Sequence, residues 1–244
     1  MQIRLFTIPN FLTLGNLVCG ACAAITLLTS GDFKIASWLV VAAAVCDFLD
    51  GFAARLLKSV SAIGVELDSL ADMVSFGLVP SLAMWTLYDA MPTAGLLPEA
   101  FAEVGRYLTL IIVAFSALRL AKFNVDDTQH TEFCGLPTPA NGLFCLSLGM
   151  LATSGYMPMS KEVVLVVAIV MACLLISPIR MFALKFKGFG WRGNELRYSF
   201  ILLSVLIIAL FTRYAIPTII VVYVVLSLVR WITCRNKCNQ TCQK

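Results

Sequence analysis

The sequence is short of charge: only 13% of its 244 residues are Asp, Glu, Lys or Arg, against about 25% in an ordinary soluble domain. That scarcity excludes long disordered tails and a coiled-coil rod, both of which need a polar or periodic composition. Histidine is nearly absent as well. His130 is the only one and sits in a polar stretch with Asp126, Asp127 and Glu132, which reads as a solvated loop. No basic run interleaved with aromatics occurs and the net charge is only +4, so nucleic acid is not an expected partner.

What the chain has in excess is apolar surface. Hydrophobic residues make up 60% and mean hydropathy is +0.90, which makes the bilayer the expected solvent. Roughly 20 residues span the hydrocarbon. Apolar runs over 11–29, 35–57, 63–88, 105–123, 140–157, 162–183, 198–212 and 215–231 therefore give eight candidate helices. The last two are joined only by Arg213 and Tyr214, a tight hairpin or one kinked unit. Residues 1–233 read as one transmembrane domain and 234–244 as a short polar tail.

Nine cysteines invite a disulfide reading, but Cys19, Cys22, Cys46, Cys145 and Cys173 lie inside apolar runs, where cysteine packs as a small hydrophobe. Cys234, Cys238 and Cys242 recur every fourth residue in the tail and read as reduced thiols. The cations are more telling. With an even number of spans and the N-terminus inside, Lys34, Arg106, Lys161 and Arg213 fall outside and the other 14 of the 18 Lys and Arg fall inside. The positive-inside bias then places both termini in the cytoplasm.

Four acids break the apolar pattern. Asp47, Asp50, Asp68 and Asp72 lie within or at the inner ends of the second and third spans, where an ionised carboxylate costs several kcal/mol unless paired, metal-bound or facing water. At 100° per residue, Asp47, Asp50, Gly51, Ala54 and Arg55 share one helical stripe, and Gly64, Asp68 and Asp72 share another. A short turn through Lys58, Ser59 and Ser61 makes the two helices antiparallel neighbours, with the four acids at one depth. Oxygen-only ligands favour Mg²⁺ or Mn²⁺, with Ca²⁺ also admissible, and a magnesium site usually keeps room for phosphate oxygens. Gly51, Gly64 and Ala54 clear the same faces for a bulky group.

The run Asp47-x-x-Asp50-Gly51-x-x-Ala54-Arg55, then eight residues to Gly64-x-x-x-Asp68-x-x-x-Asp72, resembles the signature of the CDP-alcohol phosphotransferases. The resemblance implies an all-α polytopic membrane protein: a six-helix core, here with two further C-terminal transmembrane helices, usually a homodimer. It implies transfer of a substituted phosphate from a CDP-alcohol to another alcohol with release of CMP. Asp47, Asp50, Asp68 and Asp72 would hold two metal ions, and Asp72 would also take the proton of the attacking hydroxyl. Gly51, Ala54, Arg55, Ser61 and Gly64 would line the CDP site, with Pro9, Asn10, Phe11 and Leu12 as backbone contacts beside the nucleotide.

Two further stretches, Arg119-Leu120-Ala121-Lys122-Phe123-Asn124 and Gly135-Leu136-Pro137-Thr138-Pro139-Ala140, are similar to the phosphatidylserine synthase branch of that family. Lys122 stands where that pattern often has Arg, exchanging a bidentate fork for a point charge. The branch implies CDP-diacylglycerol as donor and L-serine as acceptor, in a prokaryotic cytoplasmic membrane with the site facing the cytoplasm and membrane lipids as surroundings. Arg119, Lys122 and Asn124 are then the candidates for binding serine, whose carboxylate needs a cation. Arg180, Lys185 and Lys187 would attract anionic headgroups. Acceptors such as glycerol phosphate, inositol phosphate or choline, and a proton- or sodium-coupled transporter, are the competing readings.

Overall fold

The computed structural model describes residues 5–59, 61–96, 98–126, 132–182, 190 and 194–241, with the backbone alone at 99–100, 132–133 and 234–241. Eight helical spans run in order: α1 (Ile8–Ser30), α2 (Phe33–Leu56), α3 (Ala62–Ala90), α4 (Phe101–Val125), α5 (Thr138–Thr153), α6 (Lys161–Ile176), α7 (Glu195–Phe211) and α8 (Ala215–Thr241). Five of them, α1 to α4 and residues 215–233 of α8, are long and apolar enough to cross a membrane. The chain is thus an all-α polytopic membrane protein, and its eight described helices fall on the eight apolar runs of the sequence. The last two are separate helices joined at Thr212–Tyr214.

Local signals set the ends. At α1, the Thr7 side chain caps the amide of Asn10 at 3.4 Å and Pro9 occupies the first turn, where its missing N–H costs nothing. Gly31 closes the helix in the left-handed region, φ +63°, returning its N–H to Leu27. Asp32 then caps α2 by accepting from the amides of Lys34 and Ile35. The two-residue turn forces α1 and α2 into a close antiparallel pair. Ser61 caps α3 through the Gly64 amide at 3.1 Å.

Two features were not expected. First, α3 is not regular: residues Met73–Leu78, directly after Asp72, form a π-turn before α-helix resumes at Val79. Second, β1 (Glu132–Cys134) and β2 (Arg180–Phe182) pair antiparallel, Phe133 opposite Met181. Residue 135 takes φ +79°, and its amide binds Ile179 O while Leu136 N binds Leu174 O. A side chain on Gly135 would collide with the Leu175 carbonyl, so the Gly-Leu-Pro turn is a device for seating the start of α5 against the end of α6.

The main core joins α1 to α6 through Phe33, Val40, Phe76, Met84, Leu87 and Tyr88. A second, smaller core forms around the strand pair, where Phe182, Phe200 and Tyr223 stack with ring centroids 4.9 to 5.7 Å apart and attach α7 and α8 to the bundle. Among the described cysteines, Cys145 is buried and Cys19 and Cys46 are half-buried, but Cys22 and Cys173 are exposed. These last two do not pack as inferred; they sit on outward faces, which in a bilayer are as apolar as the core. The side chains of Cys234 and Cys238 lie outside what is described, as do Cys242, His130, Lys185 and Lys187 altogether.

Candidate functional site

The capped turn between α2 and α3 brings the four acids to one end of the bundle. Asp47, Asp50 and Asp68 each present a carboxylate oxygen within 4.8 Å of the others. Asp50 is buried, and Thr13 of α1 donates to its Oδ2 at 2.6 Å while also bonding Pro9 O at 3.0 Å. The buried Oδ1 of Asp68 has no hydrogen-bond partner among the described residues. Asp72 stands one turn further along α3, where Asn16 Nδ2 donates to its Oδ1 at 3.1 Å.

A cavity of about 180 Å³ opens beside this cluster, between the start of α1, the end of α2 and the start of α3. Its walls include Pro9, Asn10, Gly51, Ala54, Arg55, Ser61 and Gly64, seven of the nine residues expected around a CDP group, together with Asp50 and Asp68. Arg55 is the cation on the wall and is solvent-exposed, so it is free to turn toward a bound anion. Phe11 and Leu12 are not on the wall. Phe11 is exposed and its ring lies 6.0 Å from that of Phe6, because the one-residue step from Asn10 rotates it to the outer face of α1.

A second cavity, about 290 Å³, lies between the ends of α4 and α6 and the strand pair, lined by Leu118, Arg119, Lys122, Cys134, Leu175 and Ile176. Arg119 is half-buried; its Nη1 donates to Thr138 Oγ1 at 3.0 Å and its charge reaches Asp72. Lys122 is exposed on the same cavity. Asn124 is not on that wall: it is exposed and donates to Ser69 Oγ of α3 at 2.8 Å, tying α4 to the acid-bearing helix.

Several polar groups at the site escaped the sequence reading: Thr13 and Asn16 of α1, Ser59 and Ser75 near the acids, and Thr138 under Arg119. A signal was present. Asn10, Thr13 and Asn16 recur every third residue and form a polar stripe on an otherwise apolar helix, and all three are buried.

Comparisons with known proteins agree with this geometry. The model of the CDP-alcohol phosphatidyltransferase family matches residues 6–179, which contain both cavities' polar walls. A CDP-diacylglycerol–serine O-phosphatidyltransferase of Helicobacter pylori strain J99 is 31% identical over 235 residues, covering 93% of this chain and 92% of its own. The protein of the same name from Bacillus subtilis strain 168 is 38% identical over 141 residues, 57% of this chain and 72% of its own. That from Methanocaldococcus jannaschii is 30% identical over 177 residues, 72% and 74% respectively. With its acids converging beside a cavity walled by the signature's small residues, and with the family's model spanning all of them, this chain belongs to the CDP-alcohol phosphatidyltransferases.

Proposed function

We propose that the protein transfers the phosphatidyl group of CDP-diacylglycerol to the hydroxyl of L-serine, giving phosphatidylserine and CMP. The observation that carries the reading is the carboxylate cluster itself, whose Asp50 and Asp68 wall one cavity together with Arg55 and small residues, while Arg119 and Lys122 wall a second. The names of the relatives support serine as the acceptor.

The residues fit divalent metal ions. Three carboxylates offer oxygens within one small sphere, all donors are hard, and the unpartnered Oδ1 of Asp68 is a buried acceptor that a cation would satisfy. Asp47, Asp50, Asp68 and Asp72 would hold Mg²⁺ or Mn²⁺. Bound there, such ions supply positive charge to the pyrophosphate and to the departing CMP.

The chain's own groups do the rest. Thr13 fixes the orientation of Asp50. Arg55 pairs with a phosphate of the donor, and Gly51, Ala54 and Gly64 let the nucleotide lie against backbone. Asp72 accepts the hydroxyl proton of serine as the serine oxygen bonds to the phosphorus bearing the diacylglycerol, and the bond from that phosphorus to the CMP oxygen breaks. Arg119 and Lys122 receive the serine carboxylate and keep it on the side of Asp72. A homodimer in the cytoplasmic membrane, with this end of the bundle facing the cytoplasm, completes the reading.

The test is CMP release by the purified protein in mixed micelles with CDP-diacylglycerol and Mg²⁺ or Mn²⁺. Serine, glycerol phosphate, inositol phosphate and choline are supplied in parallel. Release that depends on serine is the expected result. Release driven by another alcohol removes serine while keeping the donor, and no release with any of them removes the reading.

A further inference from the structure

We propose that Asn16 is a positioning residue for Asp72, and that its hold is set from the other side by Ser75. The inference rests on reading Asp72 as the group that takes the acceptor's proton.

Asn16 is completely buried in α1. Its side-chain Nδ2 donates to Asp72 Oδ1 at 3.1 Å, and its backbone carbonyl accepts from Ser75 Oγ at 3.0 Å. Asp72 and Ser75 lie on either side of Met73, where the π-turn begins. One α1 residue therefore clamps α3 on both sides of the point where its winding changes. The approach is at backbone range: a Cβ on Gly20, one turn along α1, would stand 2.9 Å from Ser75 Cα and collide with Ser75 Oγ.

The other half of the Asn16 amide argues that this bond is not there for stability. Oδ1 is buried with no hydrogen-bond partner among the described residues. An interior position that serves only packing is better filled by leucine, which leaves no unsatisfied carbonyl behind. What asparagine adds is an amide NH₂, and one of its two hydrogens is spent on Asp72. With Oδ1 engaged, Oδ2 is the oxygen left to meet the hydroxyl, and its direction is fixed by α1 instead of by a free side-chain torsion.

The variants are Asn16→Leu, Ser75→Ala and Asp72→Asn, each measured as the full chain in mixed micelles with CDP-diacylglycerol, serine and Mn²⁺. In Asn16→Leu, kcat is expected to fall roughly 10- to 100-fold while the KM for CDP-diacylglycerol moves less than about twofold and the thermal midpoint holds or rises. Ser75→Ala should lower kcat in the same direction by a smaller factor, with the midpoint unchanged. An Asn16→Leu enzyme with unaltered kcat per folded molecule overturns the proposal, including where the midpoint drops. Should Asn16→Leu not fold, Ser75→Ala decides: reduced kcat supports the clamp and unaltered kcat overturns it. Turnover retained by Asp72→Asn overturns the reading of Asp72 and this inference with it. A dead Asp72→Asn beside a fully active Asn16→Leu overturns this inference alone.

Discussion

Thr13 and Asp50 are 37 positions apart in sequence and 2.6 Å apart across the α1–α2 interface, hydroxyl to carboxylate. The bond ties the first helix to the acid cluster, so the N-terminal helix helps build the candidate site. Its loss can be measured. Thr13→Val removes the donor at nearly constant volume, and a hydrogen bond to a charged group is worth about 1.5–3 kcal/mol. Turnover is expected to fall roughly 10- to 100-fold, and Thr13→Ser to restore most of it; CMP release reads both.

Chelation should silence the enzyme. With EDTA, CMP release is expected to stop, and added Mg²⁺ or Mn²⁺ to restore it, since three carboxylates with oxygens within 4.8 Å of one another need a cation between them to stay charged. Asp68→Asn should raise the metal concentration needed for half-maximal rate by about 10-fold or more. A titration of rate against free metal checks this.

The two cavities predict a separation of substrate effects. Arg119→Ala is expected to raise the KM for serine by about 10-fold or more while leaving that for CDP-diacylglycerol nearly unchanged, and Arg55→Ala to do the reverse. Steady-state kinetics in which each substrate is varied separately provide the check. Equal effects of both variants on both substrates would contradict the division.

At the opposite end of the bundle, Glu162 opens α6 and is buried, taking hydrogen bonds from Thr93 Oγ1 and from the amides of Ala94 and Leu96. It holds the loop between α3 and α4 to the helix that follows. Glu162→Ala should lower the thermal midpoint by several degrees, because those amides lose their acceptor. The kcat of the folded fraction should not change. Thermal melts in detergent alongside the CMP assay distinguish the two.

How much of this was readable beforehand follows from what each residue type costs in a bilayer. The four acids announced themselves, because charge in an apolar helix is expensive and their spacing fixes the shared stripe. The eight helices followed from the eight apolar runs. Thr13 and Asn16 did not stand out, since a single threonine or asparagine in an apolar run is cheap enough to pass as packing, and only their three-residue spacing from Asn10 hinted otherwise. Exposed Cys22 and Cys173 show the same limit from the other side: lipid and core select the same side chains, so hydropathy cannot say which face a residue occupies. The direction of Phe11 and the Asn124–Ser69 bond depend on how helices cross, which no stretch of sequence states locally.

The π-turn of α3 has a consequence for how this helix tolerates change in length. Each residue of a regular helix advances the winding by about 100°, and Met73–Leu78 absorbs extra chain without lengthening the ladder on either side. A deletion inside that stretch would let the helix wind evenly, yet it would swing Asp68 and Asp72 away from Asp47 and Asp50 or else drag Tyr88 and Met84 out of the core. The irregular turn acts as a spacer, allowing the acidic end and the packed end of one helix to keep separate rotational settings.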